Sequence, residues 1–431
     1  MDRRYWGSRL APDIINDRIR ELNHHLHAVV KWQEVPKDCS WAVLVKDNIN
    51  VRGFRTTAGS FALKELKPSE DAFCIKALRK AGALPFGKTT LSELAGFVST
   101  NLPPGYSELG GQGINPIDER FTPGGSSSGS AIAVAAGLCD SAVGTETHGS
   151  LMFPALSCGV VGFKPSVGLI SREGIVPISH SLDTPGALAR SVREAVRLTE
   201  AMRGADPDDK ATLDCPVGNL MDGLCDSSEG IRIVFCKDEE ALADPLYKQK
   251  LTRLFAVARK AGIEFIEVPA PAVQTHYRTI SSVEIQNDFD RFLLKYGNGS
   301  TPADFKSLVQ LYEMRLPHHP YGIDRLTASL SFDPYTAASA YRTALQSGIA
   351  ACTAVIDRLL KENQAQAIAT TRFLPWWAVG RAPSLVLPFD ERSDRKPLGL
   401  VIGARRFEDR TVCDIAKRIE NAVQKGGQKS K

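Results

Sequence analysis

The sequence has no CxxC pair, no long apolar run and no surplus of charge of either sign. Its nine cysteines, at 39, 74, 139, 158, 215, 225, 236, 352 and 413, are scattered and odd in number. That argues against a disulfide framework and leaves no zinc-ligand spacing. Reduced thiols in a cytoplasmic protein are the expectation. The longest apolar run, 131–138, is closely followed by Asp140. A membrane helix needs about 20 such residues, so no membrane partner is expected. The opening "MDRRYWGSRLAPDI" lacks the apolar segment of a secretory signal. Lys and Arg total 53 against 49 Asp and Glu, a net charge of +4. That is too small and too evenly spread to favour a nucleic-acid partner. No internal repeat is present, and biased composition is confined to the basic tail "KGGQKSK".

What is present is an ordinary globular composition, 43% hydrophobic and 24% charged over 431 residues. Apolar periodicity predicts a helix over 15–30, a strand that turns polar at Lys46, and a helix over 70–81 capped by Ser69 and ended by Gly82. "ALPFG" reads as a strand and "TTLSELAGF" as helical. A glycine- and proline-rich loop spans 98–123, a small-residue helix 130–137, and a strand running into a turn 141–149. Strands follow at 230–235, 365–371, 382–389 and 398–404, with mostly helical chain over 280–350 and a closing helix over 411–424. Alternating strands and helices place the chain in the α/β class. No composition shift forces a cut, so 1–431 is taken as one domain.

Two motifs tempt and fail. "GALPFGKTT" (82–90) matches the phosphate-loop pattern GxxxxGK followed by Thr. A true phosphate loop follows a strand and opens a helix, whereas here the first glycine follows a helix and the intervening residues are apolar. "HHLH" (24–27) has no carboxylate nearby and no HExxH, so it reads as a helix face. No metal and no cofactor are expected.

The stretch "TPGGSSSGSAIAVAAG" (122–137) carries more chemistry. Its serines abut a tight-packed helix rather than a linker, and Gly149-Ser150 ends the next strand. This unit can bring Ser126–Ser128 beside Ser150. A serine nucleophile needs a base. His148 is local, but its ring would have trouble reaching a hydroxyl two residues away in the same turn. Lys46 ends the apolar run "WAVLV", where burial would lower its pKa and make a neutral amine available.

At this point a resemblance enters. "LVKDNINVRGFRTTAGS" (44–60), "GALPFGKTTLSELAGF" (82–97), "PGGSSSGSAIAVAAG" (123–137) and "VGTETHGSLMFPALSCGVVGFKPSVGLIS" (143–171) resemble, in order and spacing, the blocks of the amidase signature family of serine hydrolases. "SLDTPGALARSVREAVRLTEAM" (181–202) and the segment 382–409 resemble its later blocks. The resemblance implies a large twisted mixed β-sheet covered by helices on both faces, with a signature core at about 40–205 and a helical substrate-side insertion at about 280–350. It implies a Ser–cis-Ser–Lys triad of Ser150 as nucleophile, Ser126 as bridge and Lys46 as general base. The N–H groups of Thr147, His148, Gly149 and Ser150 would line the oxyanion hole, and a non-proline cis bond would lie in the Ser126–Ser127 region. The implied reaction is hydrolysis of a carboxamide with a small or peptide-like acyl group. The alternative is transfer of the acyl group or of ammonia to another acceptor. A homodimer is left open.

"STNLPPGYSELGGQGINP" (99–116), "REGIVPISHSLDT" (172–184) and "EIQNDFDRFL" (284–293) are similar to the peptide-amidase-like branch. Tyr106, Ser127, Met152 and Trp377 are substrate-binding candidates, with Met152, Phe153 and Tyr106 placed to line an acyl pocket and Trp376 and Trp377 to bind an apolar acyl group; core packing is the competing reading for Met152, Phe153, Trp376 and Trp377. The sequence departs from the commoner GTDTGGSIR pattern at Glu146, His148, Leu151 and Met152. The family's aspartate–arginine pair is thereby lost, and His148 would sit beside the oxyanion hole.

Overall fold

A computed structural model describes residues 9–222, 224, 230–332, 338–391 and 394–428. The first eight residues, Cys225, part of the 280–350 helical stretch and the end of the basic tail lie outside the described residues.

Eleven strands form one sheet. In chain order they are β1 (Val29–Trp32), β2 (Ala42–Lys46) and β3 (Leu84–Thr89), then, after a small hairpin of β4 (Tyr106–Ser107) and β5 (Gly111–Gln112), β6 (Ser141–Glu146), β7 (Val161–Lys164), β8 (Thr184–Ala189), β9 (Ile231–Lys237), β10 (Ile263–Pro269), β11 (Ala367–Thr370), β12 (Ser384–Glu391) and β13 (Pro397–Gly403). The spatial order is β1-β3-β2-β6-β8-β7-β12-β13-β11-β9-β10. β3, β2 and β6 pair in parallel, as do β11, β9 and β10, while the strands between them pair antiparallel.

Helices cover both faces. They are α1 (Pro12–Leu26), α2 (Phe73–Lys80), α3 (Ser128–Ala135), α4 (Met152–Cys158), α5 (Val192–Met202), α6 (Glu239–Leu242), α7 (Pro245–Lys260), α8 (Tyr277–Tyr296), α9 (Phe305–Met314), α10 (Asp324–Leu330), α11 (Ala338–Glu362), α12 (Trp376–Val379) and α13 (Asp409–Gln428). Successive side chains of a strand point to opposite faces. Val43 and Val45 of β2 accordingly join the core under α2, α5, α7 and α13, whereas Leu44 joins the core under α3, α4 and α11. A third core, built on Phe289, Phe305 and Tyr312, seats α8, α9 and α10 on the loops at 58–66 and 94–98.

Local chemistry moves several expected boundaries. The first helix stops at Leu26 instead of 30, because His27 turns left-handed (φ 51°) and the Asn23 side chain accepts the N–H groups of Ala28 and Val29. Residues 29–32 then pair with β3. The α2 helix starts at Phe73 behind Ala72, not at Ser69, since the Ala72 N–H is already given to Asn50 O. "TTLSELAGF" does not form an α-helix. Thr89 completes β3, and Leu94 and Ala95 are left-handed (φ 45° and 55°). Tertiary ties override propensity there: the Ser92 N–H goes to Ser126 O, the Leu94 N–H to Ala58 O, and Glu93 accepts the Tyr312 hydroxyl. The phosphate-loop look-alike is core strand β3, and its Lys88 is buried against Asp47 at 3.0 Å.

The α3 helix packs close because it is made of small residues. A Cβ on Gly129 would lie 2.4 Å from Thr90 Oγ1. This close fit brings the serine loop that precedes α3 against the ends of β2 and β6.

Candidate active site

Lys46, the last residue of β2, is fully buried. Its Nζ is 2.8 Å from Ser126 Oγ, 2.8 Å from Thr145 Oγ1 and 3.4 Å from Thr145 O. The Asn48 amide also donates to Thr145 Oγ1, at 3.1 Å. Burial lowers the Lys46 pKa to about 7, against the opposing pull of the Asp183 and Glu146 charges. Near neutrality a substantial share of Lys46 is therefore the free amine, which can accept a proton.

The Gly125–Ser126 peptide bond is cis. This corrects the expected place by one residue: the cis bond precedes Ser126. The next peptide is committed elsewhere, since the Ser127 N–H donates to Ser150 O at 3.1 Å. That bond sets residue 150 beside the serine loop. The Ser127 hydroxyl donates to Thr145 O (3.0 Å) and accepts the Thr145 N–H (3.2 Å). Ser127 is thus a fully buried brace between loop and β6, its one hydroxyl proton already given to Thr145, and not a substrate ligand.

Ser150 is half-buried. It sits in a turn shaped by Gly149, whose φ is 93° and whose Cβ, if present, would lie 2.4 Å from Phe153 Cε2. Glu146 ties the turn from below. Its carboxylate accepts the N–H groups of Leu151 (2.8 Å) and Met152 (3.1 Å), at the start of α4. An acidic group there also suits the helix N-terminus. Burial pushes the Glu146 pKa up, and the buried Lys164 opposes it. Lys164 is itself lowered to about 8 by burial. A buried lysine thus supplies the charge opposite Glu146 in a chain that lacks the family arginine.

Thr147 and His148 complete the turn with Gly149. The Thr147 hydroxyl donates to Asp183 at 2.5 Å, and Asp183 also accepts the N–H groups of Ile178 (2.8 Å) and Ser179 (2.9 Å). Burial raises Asp183 to about 6. A cavity of about 250 Å³ opens on this flank, with Asn48, Thr145, Thr147 and Asp183 near the relay and Arg172 and His180 farther along it. On the other flank the His148 ring stacks on Tyr277. Burial lowers His148 to about 4. The ring is neutral at ordinary pH and packed among aromatics, and the proton contacts described above belong to Lys46.

Two further substrate candidates are corrected. Met152 is fully buried, its Sδ 3.4 Å from Ser384 Oγ. Trp377 is fully buried against Gly403, where a Cβ would lie 2.1 Å from the indole nitrogen. Both fill the core, so neither offers a surface to a ligand. Tyr106 is half-buried and meets Tyr321 edge-on at 4.9 Å.

Sequence reasoning missed Thr145, Asn48 and Asp183. All three stood inside the quoted blocks, and the period of two along β6 would have put Thr145 on the same side as Thr147. Tyr277 and Phe373 carry no local signal, because long-range packing alone brings them to the turn. Among the described residues one group has metal-ligand proximity: His180, Glu284 and Asp288, with ligand atoms within 4.8 Å. Its oxygens are occupied. Glu284 accepts the Ser181 hydroxyl and N–H and the Tyr341 hydroxyl, and Asp288 accepts the His180 N–H.

The family model described as Amidase matches residues 41–413. The Arabidopsis thaliana protein named "Probable amidase" is 33% identical over 396 residues, covering 88% of this chain and 76% of that one. A glutamyl-tRNA(Gln) amidotransferase subunit from Koribacter versatilis is 30% identical over 422 residues, with 90% and 86% covered. The solved structure of the peptide amidase from Stenotrophomonas maltophilia superposes with a TM-score of 0.87 at 29% identity, covering 96% of this chain and 93% of that one.

Proposed function

The chain belongs to the amidase family, whose enzymes act on amide C–N bonds, and from that premise we propose that Ser150, Ser126 and Lys46 form its reacting centre. The observation that carries the reading is the buried Lys46 amine at 2.8 Å from Ser126 Oγ, its ammonium form destabilised by burial.

Neutral Lys46 accepts the Ser126 proton while Ser126 accepts that of Ser150. The Ser150 oxygen attacks the amide carbonyl, and the carbonyl electrons move onto oxygen. N–H groups of the 147–150 turn face that developing charge; one such donor is typically worth about 10²–10³ in rate. As the intermediate collapses the C–N bond breaks. The nitrogen takes the proton back from Lys46 through Ser126 and leaves as ammonia. Water then attacks the Ser150 ester by the same relay, releasing the carboxylate and restoring the serine. The hydrogen bond from the Ser127 N–H to Ser150 O supports this order, because it keeps the nucleophile against the serine that bridges to lysine.

The substrate class is a carboxamide with a small or peptide-like acyl group, supported by the likeness to the Stenotrophomonas peptide amidase. The likeness to an amidotransferase keeps a second reading, in which ammonia or the acyl group passes to another acceptor. The test is ammonia release from simple and peptide carboxamides by the isolated chain. Stoichiometric ammonia and carboxylate, absent in Ser150→Ala, support hydrolysis. Release that requires an added acceptor supports transfer, and equal release by Ser150→Ala removes Ser150 from the mechanism.

A further inference from the structure

Four aromatic rings run along one flank of the catalytic turn. His148 lies in the turn itself, its ring stacked on Tyr277 with centroids 4.1 Å apart and planes 18° apart. Phe373 meets His148 edge-on at 5.2 Å, and Phe153 in turn packs on Phe373 at 4.9 Å. These rings come from four separate places: the turn after β6, the first residue of α8, the segment after β11, and the first turn of α4.

Phe153 is the odd member. It is 43% exposed, whereas Leu151 and Met152 beside it are fully buried. A large ring left this open beside a reacting serine is apolar surface still to be covered. Its position is not free, because Gly149 leaves room only for the ring: a Cβ there would meet Phe153 Cε2 at 2.4 Å. Phe153 therefore rests against the residue that precedes the nucleophile. A shallow depression of about 380 Å³ opens next to His148, lined by Thr275, His276, Tyr277 and Arg278. Thr147, next to His148 in the turn, is polar, and its hydroxyl bonds Asp183.

A carbonyl held at Ser150 thus meets both the ionisable relay groups and this strip of rings. Its nitrogen must face the Ser126–Lys46 relay, which reprotonates it. The carbon side of the amide is left for the rings. We propose that His148, Tyr277, Phe373 and Phe153 form the wall that binds the acyl group, and that the preferred substrates are carboxamides with an aryl or arylalkyl acyl group. This inference rests on the hydrolase reading above. Aromatic packing selects planar, apolar groups.

The experiment measures kcat/KM for phenylacetamide and for acetamide by ammonia release, in wild type, Phe153→Ala, Phe153→Tyr and Phe373→Ala. The expected wild-type preference for phenylacetamide is about tenfold or more, and each alanine variant lowers that ratio about tenfold. Phe153→Tyr, which keeps the ring, restores most of it. A ratio that does not change in either alanine variant overturns the proposal. If wild type releases ammonia from neither amide, the peptide carboxamides of the test above decide the hydrolase reading separately. Saturation-transfer NMR of phenylacetamide with Ser150→Ala then decides the wall: ring-proton transfer lost on adding Phe153→Ala supports it, and transfer absent or unaffected overturns it.

Discussion

The two flanks of the 147–150 turn are made of opposite materials. On the relay flank lie Lys46, Thr145 and Asn48, buried and joined by hydrogen bonds, and Asp183, which holds Thr147, with Lys46 and Asp183 displaced in pKa. On the other lie His148, Tyr277, Phe373 and Phe153, joined by ring contacts. Moving protons requires groups that can change charge near neutrality, and burial is what brings a lysine down and an aspartate up toward that range. Holding an acyl chain requires none of this. His148 shows the separation plainly: burial brings it to about 4, too low to exchange protons at neutral pH, and it stacks instead.

The comparison can be broken most severely on the relay flank. Ser150→Ala, Ser126→Ala and Lys46→Met should each cut kcat by about 10³-fold or more, and the losses should not add, because the three act as a unit. Steady-state kinetics on the single and double variants checks this. Lys46→Met should nevertheless keep or raise Tm. In wild type the folded-state pKa lies below the unfolded one, so stability grows as pH rises from about 7 toward the ordinary lysine range and is least below 7, where the fold must bury an ammonium. Thermal melts at acid and alkaline pH read the difference.

Asp183→Asn should come next, with kcat down about 10²-fold from loosening Thr147 beside the oxyanion donors. It also carries a sign. Asp183 charge holds the Lys46 pKa up, so its removal moves the acid limb of kcat/KM to lower pH. In wild type that limb should lie near pH 7, with activity falling below it as Lys46 protonates. A pH–rate profile of both proteins sharpens the account, because a purely structural defect would lower the curve without moving it.

Smaller effects belong to the core residues that resemble site residues in the sequence. Met152→Leu should change stability by less than about 1.5 kcal/mol and leave the phenylacetamide preference in place, since a buried volume-conserving swap is well tolerated. Denaturant unfolding and the two-substrate ratio check it together.

The relay was legible in the sequence and the wall only in part, because Phe153 and His148 stand in the nucleophile's own block whereas Tyr277 and Phe373 do not. Lys46 is marked by a charge at the end of an apolar strand, and the serines by their density before a small-residue helix. Both signals are local. The sheet class was legible from alternating strands and helices, and its arrangement from the family blocks. By contrast, Tyr277 reaches His148 through the docking of α8, and Phe373 from a segment beyond β11. Neither residue differs locally from any packed aromatic. Met152 and Trp377 mislead because neither adjacency to the nucleophile, for Met152, nor a place in a site-facing stretch of the family, for Trp377, says which face of an element is buried. The short β1 strand and the left-handed Leu94–Ala95 pair were hidden because side-chain ties from Asn23 and Glu93, not propensity, set them.

The central claim is that a buried neutral lysine activates Ser150 through Ser126. It is tested most directly by intact-mass spectrometry of wild type and Ser150→Ala after a phosphonofluoridate serine-hydrolase probe, with the labelling rate followed on both sides of neutrality. The account predicts one adduct on wild type, none on the variant, and a rate that rises with pH about a midpoint near 7. An adduct retained by Ser150→Ala, or none on folded wild-type protein, would contradict it.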